Sequence, residues 1–289
     1  MHDIGFSYEF FPPSSLIGER RFWRTLGCLE VMDPSFFSIT YGALGSGQSH
    51  SITAIENVVA ESEIPVAAHL TFEGSTIEEI NQVARHLSEI GVDRIVALRG
   101  DDRENAADAK RRGPCYQSVP EFIAGLLEIY PFDISVACYP EVHPRAASAL
   151  EDIQLLKAKF DAGANRAITQ FFFDLDEFDR FCERTAAAGV TAPIVPGVLP
   201  IRDFNRMTQF AARCGTTVPG ALHTLFEPAL KDPQLMKHLA QQQAEQFIDD
   251  LIVRGFHHFH IYTLNQTIDL RQCVDQAQRM APNSVAANV

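Results

Sequence analysis

The sequence predicts an α/β fold, a single (β/α)8 TIM barrel with an extra helix before its last strand, and three observations carry that prediction. Short β-branched or aromatic runs alternate with longer segments of helical apolar spacing, which is the pattern of parallel βα units. Eight such units can be counted, and eight suits a closed barrel better than a doubly wound sheet of fewer strands. No phosphate-binding glycine turn follows the first strand, which runs instead into Pro12 and Pro13. A chain of 289 residues is an ordinary length for such a barrel built on one core.

In chain order the strands are expected at 4–11, 36–41, 66–71, 94–99, 133–139, 166–172, 193–198 and 258–262. The glycine cluster at 42–47 follows the second strand with the spacing G-x-x-G-x-G. That spacing does not match the dinucleotide fingerprint and reads as a rim loop. After the third strand, Ser75 with Glu78 reads as a capping box opening a helix that ends at Gly91. After the fifth, a helix is expected over 143–160, with Pro144 in its first turn and Gly163 beyond its end. Its buried stripe is Ala149, Ile153, Leu156 and Phe160. The segment 216–254 is longer than one unit needs, hence the extra helix. The barrel is expected to fill residues 1–281, and 282–289 to be a disordered tail.

Hydrophobic residues at 46% and charged residues at 21% fit a globular chain with a substantial interior. A net charge of −13 without any lysine/arginine block argues against a nucleic-acid partner. No apolar run approaches the roughly 20 residues that span a bilayer. The start, from Met1 to the acidic Asp3, does not read as a leader, so no membrane association and a cytoplasmic location are expected. The six cysteines form no C-x-x-C pair and read as reduced thiols.

In a barrel of this kind, polar side chains at the C-terminal ends of strands point into the active-site mouth. Glu9 sits in sequence among aromatics and prolines, an environment that raises a carboxyl pKa by desolvation and suits a proton donor. The competing reading is a rim carboxylate paired with an arginine. By position alone His69 reads as a hydrogen-bonded core histidine more readily than as a ligand, and Arg99-Gly100-Asp101 reads as a surface turn or as a place where backbone approaches a ligand. His257, His258 and His260 suggest a metal cluster at first sight. Alternation puts only His258 and His260 on one face, with no acidic or cysteine partner nearby in sequence, so no metal is expected. Phe171, Phe172 and Phe173 read as wall packing. Asp152 and Lys159, seven residues apart, share a helix face, either as a solvated pair or as acceptor and cation for a cofactor's ribose and phosphate.

Taken together, YEFFPP (8–13), SITYGA (38–43), IVALRGD (95–101), DISVACYPEVHP (133–144), DAGANRAITQFFFD (161–174), PGVLP (196–200) and FHIYTLN (259–265) resemble the methylenetetrahydrofolate reductases, over nearly the whole chain. The resemblance implies reduction of 5,10-methylenetetrahydrofolate to 5-methyltetrahydrofolate by NADH or NADPH, through bound FAD, in two alternating half reactions. By matching motif, Glu9 is the general acid that helps open the folate's five-membered ring to an iminium, and Asp101 favours that cation. Matching FAD positions are Tyr41, Ala43, His69, Arg99, Gly100, Asp101, Tyr139, His143, Ala146, Asp152 and Lys159, and Thr40 matches a nicotinamide contact. Gln170 matches a pterin contact and Phe210 an aromatic that packs on the nicotinamide cofactor or folate.

The chain also departs from the enteric bacterial pattern. Gln117, Leu155 and Ala158 replace a small residue, an asparagine and an arginine near the flavin's ribose and phosphates. Arg206 stands where a glutamine is expected and Gln266 where an arginine is expected. The pair reads as one event, in which the cation for the folate tail moves from the eighth strand to the helix after the seventh. No regulatory domain of the animal type is expected, and a homo-oligomer is compatible with the reading. The alternatives are a flavin-free reductase with direct hydride transfer, against which Tyr139, His143, Asp152 and Lys159 speak, a barrel hydrolase or aldolase, and a non-catalytic pterin-binding module.

Overall fold

A computed structural model describes residues 4–41, 48–100 and 112–270. The chain runs β1 (Gly5–Phe10), α1 (Leu16–Glu30), β2 (Phe36–Ile39), α2 (Gln48–Glu61), β3 (Val66–Thr71), α3 (Ile77–Glu89) and β4 (Arg94–Leu98). It continues through α4 (Val119–Ile129), β5 (Asp133–Cys138), α5 (Ala149–Asp161), β6 (Arg166–Thr169), α6 (Leu175–Ala187), β7 (Ile194–Val195) and β8 (Gly197–Val198). After α7 (Phe204–Cys214), a short α8 (Gly220–Phe226) leads through a 3₁₀ turn to the long α9 (Pro233–Val253) and then to β9 (His258–Tyr262). All strand pairs are parallel, in the order β7-β6-β5-β4-β3-β2-β1-β9-β8, a nearly closed barrel.

The seventh expected strand is present in two pieces, and Pro196 is the reason. Proline has no N–H to give to a ladder. β7 therefore pairs with β6 and β8 with β9, while the Pro196 carbonyl still accepts from His260 N at 2.9 Å. Gly197 is tightly placed at this seam: an added Cβ would lie 2.2 Å from the Thr169 carbonyl and 2.7 Å from the Tyr262 ring. The extra helical matter before the last strand is α8 and its 3₁₀ turn.

Two helix starts differ from the sequence reading. The capping box belongs to Thr76 and Glu79, one residue later than expected, because Thr76 is the residue with extended backbone whose hydroxyl accepts from Glu79 N. α5 begins at Ala149, capped by Ser148, not at His143. The preceding segment is held out of the helix by its own hydrogen bonds: Asp152 accepts from His143 N and the His143 ring accepts from Arg145 N. β6 ends at Thr169, so the three phenylalanines lie beyond it, all buried.

Strand alternation divides the interior. β1 sends Tyr8 and Phe10 outward under the helices, where they are fully buried beside Phe22 and Phe37. Each such ring contributes roughly 1.5–3 kcal/mol of burial. Inside the barrel a separate apolar layer is made by Phe36, Ala67, Val96, Ile168 and Val195. At the N-terminal ends of β4 to β6, Asp133 lies between Arg94 at 3.1 Å and Arg166 at 2.8 Å. A second apolar cluster with Phe171, Phe173, Phe204, Met207 and Phe226 fastens α7 and α8 over the rim. Among the described residues no helix is long and apolar enough to cross a membrane.

Candidate active site

Register brings the first constellation together. Glu9 on β1 lies opposite Ser38 on β2 and Tyr262 on β9, while Ser7 lies opposite His260. Glu9 Oε2 stands 3.5 Å from His69 Nε2 and 3.9 Å from His260 Nε2. Ser38 Oγ is 3.2 Å from His69 Nε2 and 3.5 Å from His260 Nε2, and Ser7 Oγ is 2.7 Å from His260 Nδ1. The sequence neighbours of Glu9 are therefore not its surroundings: Tyr8 and Phe10 face the helices, and Glu9 faces two imidazoles and two hydroxyls. No arginine salt bridge to Glu9 occurs among the described residues. Its side chain keeps 14% exposure.

Burial pulls the His69 imidazole down to about 4, outweighing the Glu9 carboxylate that acts to raise it, so the ring is neutral at neutral pH. The Tyr262 hydroxyl donates to the Thr169 carbonyl at 2.6 Å, and burial first, then Glu9, pushes its pKa well above the usual range. Tyr262 is thus a fixed donor in the wall.

The rim above β2 to β4 carries Thr40, Tyr41, Thr71, Arg99 and Gly100. The Thr40 and Thr71 hydroxyls are buried and have no hydrogen-bond partner among the described residues. A buried orphan hydroxyl costs about 1–3 kcal/mol, so two on one rim point to a polar ligand. Gly100 has φ +91°, and a Cβ there would come 2.9 Å from Thr71 Cβ. Arg99 donates to Glu73 at 3.0 Å, and Tyr41 is buried. Ala43 and Asp101 lie outside the described residues.

The arm after β5 forms the third group. The Tyr139 and His143 rings meet edge to face at 4.4 Å, and Asp152 Oδ2 accepts from His143 N at 2.9 Å. Ala146 N donates to the His143 carbonyl at 2.9 Å. Burial lowers the His143 pKa, opposed by Asp152. Lys159 is no solvated residue: it is 7% exposed and its Nζ donates to the Ala137 carbonyl at 2.8 Å. Burial lowers its pKa, while Cys138 and Asp152 act to raise it. Gln170 at the end of β6 turns its amide oxygen onto Phe171 N at 3.0 Å, and Phe210 on α7 stacks on Phe171 at 5.2 Å.

A family model described as methylenetetrahydrofolate reductase matches residues 1–278. The chain belongs to the methylenetetrahydrofolate reductase family. It is 38% identical over 263 residues to the 5,10-methylenetetrahydrofolate reductase of Pectobacterium carotovorum, covering 91% of this chain and 86% of the relative. It is 37% identical to that of Escherichia coli, covering 91% and 87%. Among solved structures, a Clostridium thermocellum protein that binds two copies of 5-methyl-5,6,7,8-tetrahydrofolic acid aligns with TM-score 0.59 at 14% identity, over 96% of this chain and 93% of that one. A Thermus thermophilus dihydropteroate synthase aligns with TM-score 0.52 at 12% identity, over 96% and 94%. At those identities the likeness speaks for the barrel fold. As a methylenetetrahydrofolate reductase the chain is an oxidoreductase of folate metabolism.

Within this reductase three of the five departures, Gln117, Leu155 and Arg206, fall in exposed places. Gln117 is exposed and donates to the Cys115 carbonyl, Leu155 is exposed on α5, and Ala158 is half-buried beside Lys159. Arg206 is 88% exposed and lies 3.4 Å from Asp203, the N-cap of α7. Gln266 is half-buried in the turn after β9, where Leu264 and Asn265 take φ of +49° and +55°. Asn265 secures that turn: its side chain exchanges two hydrogen bonds of 2.9 Å with the Phe11 backbone, just past Glu9. Ser7, Ser38, His260 and Asn265 were not singled out as site residues by sequence. Alternation from Glu9 and from His258 offered Ser7 and His260. Only the register across strands could supply Ser38 and the Asn265–Phe11 link.

Proposed function

We propose that this reductase converts 5,10-methylenetetrahydrofolate to 5-methyltetrahydrofolate with electrons from NADH or NADPH, passed through bound FAD in two alternating half reactions, in the cytoplasm. The observation that carries the reading is Glu9, a carboxylate inside the mouth, set against one neutral imidazole and a second histidine. Bound flavin supplies the hydride chemistry, and alignment and charge are the protein's task. The orphan hydroxyls of Thr40 and Thr71 and the left-handed Gly100 suit the polar edge of such a ring system. Lys159, with one of its three N–H donors committed, suits a phosphate, and Asp152 a ribose hydroxyl.

Glu9 in its protonated form donates to the folate nitrogen that departs as the five-membered ring opens. His69, being neutral, is hydrogen-bonded to Ser38 and stands 3.5 Å from Glu9 without holding it permanently as an ion pair. Asp101, by motif, favours the cationic form of the opened folate. Gln170 has its amide oxygen occupied by Phe171 N, which leaves its NH₂ for the pterin. Phe210, backed by Phe171, offers an apolar platform, and by motif Arg206 and Gln266 stand at folate-contact positions.

Glu9→Gln keeps the shape and removes the proton. NADH should still bleach the flavin of this variant, while folate reduction falls by two or more orders of magnitude. Equal loss in both half reactions would make Glu9 structural. Purified protein should be yellow; turnover by colourless protein would replace the flavin route with direct hydride transfer.

A further inference from the structure

We propose that Arg202 is the residue that receives the carboxylate tail of the folate substrate, an inference that rests on the functional reading above. Arg202 follows β8 by four residues, on the C-terminal rim. Its guanidinium crosses to the turn after β9 and donates to the carbonyl of Thr267, next to Gln266. It is half-buried and makes no salt bridge among the described residues. The rest of its five N–H donors find no acceptor there either. Desolvation acts on it without a carboxylate to offset the cost.

The other α7-side arginines are differently committed. Arg206 is exposed and paired with Asp203, and Arg213 is exposed and lies over the Phe210 ring at 5.9 Å. Arg202 therefore combines three properties that they lack together: partial burial, a fixed stem and vacant donors. A planar fork with vacant donors matches a carboxylate in two-point fashion. Folate substrates end in glutamate, so they bring at least one carboxylate pair to the mouth. The chain's net charge of −13 makes an uncompensated cation at that place significant for holding an anion. The strained Leu264–Asn265 turn, fastened to Phe11, fixes the acceptor carbonyl and so the direction of the fork.

The test compares the methylene form of the substrate carrying one or three glutamates with the tail-less pteroate form. In the wild-type protein the tail-less form should show a KM at least tenfold higher, and salt should raise the KM only for the tailed forms. Arg202→Met should raise the KM of the tailed substrate about tenfold and that of the tail-less form less than twofold, with Arg202→Lys recovering part of the loss. Equal KM rises for tailed and tail-less substrates in Arg202→Met would reduce Arg202 to a strut between two turns. Equal wild-type KM values would overturn the inference without any variant. Failure of the wild-type protein to reduce either substrate would overturn the functional reading itself, and the inference with it.

Discussion

Two polar clusters lie inside the same barrel, one at each end, and they differ in how their charges are matched. At the N-terminal end two arginines face two aspartates: Asp133 lies between Arg94 and Arg166, and Asp93 is 3.8 Å from Arg94. At the C-terminal end Glu9 faces histidines, one of them held neutral, and two threonine hydroxyls nearby have no partner among the described residues. Between them sits the apolar layer from Phe36 to Val195. A matched cluster closes the bottom of the barrel and serves stability. An unmatched one keeps its hydrogen-bonding capacity for a ligand, which is the usual division of labour between the two faces.

The largest effect that would break this division is at the matched end. Asp133→Ala leaves Arg94 and Arg166 facing each other without their shared carboxylate. Because all three groups are only about three-quarters buried, the loss should fall near the lower end of the range for broken buried pairs, about 3 kcal/mol. Urea unfolding should register it as a lower midpoint, with the folate KM of the folded protein within about twofold of wild type. Glu9→Gln should do the reverse, changing turnover and leaving the midpoint within about 1 kcal/mol. If Asp133→Ala altered the folate KM as strongly as stability, the two ends would be coupled and the division would not hold.

The buried Lys159 sharpens the comparison from another side, since it is a cation near the mouth with a carbonyl rather than a carboxylate as its hydrogen-bonded neighbour. Lys159→Ala should release flavin at least tenfold more readily, the equivalent of a charged hydrogen bond of about 1.5–3 kcal/mol. Retained absorbance after dialysis checks this. Retention equal to wild type would remove Lys159 from the cofactor site and return it to the wall.

These contrasts also explain what could be read from the sequence. The barrel was legible because strand and helix periodicities are local, and so was the extra helical matter before β9. Glu9 was legible as a site residue, yet its environment was not. Neighbours along a strand point to opposite faces, so the aromatic setting suggested by YEFFPP belongs to the outer face, and the true neighbours arrive from β3 and β9. The shared face of Asp152 and Lys159 was legible from helical spacing. Their burial was not, because it depends on how α5 docks on β5. The helix expected from His143 starts six residues later because side-chain hydrogen bonds within 143–152 outcompete the first turns, a choice that spacing alone does not reveal.

The smallest expected effect separates the two ends by pH. His69 titrates near 6.5 when unfolded and at about 4 in the folded protein, because burial disfavours its charged form. Between those values the unfolded state binds more protons, so stability rises with pH through the window and is lost as pH falls from 6.5 toward 4. From pH 7 to pH 5.5 the His69 contribution should amount to about 1 kcal/mol, on the scale of 1.4 kcal/mol per pKa unit. Urea midpoints of the wild type and His69→Gln, each measured at pH 7 and 5.5, isolate the term: the variant should lose less stability on acidification by about that amount. The same loss in both proteins would mean that His69 is not held neutral in the mouth, and Glu9 would then face a cation rather than a neutral imidazole.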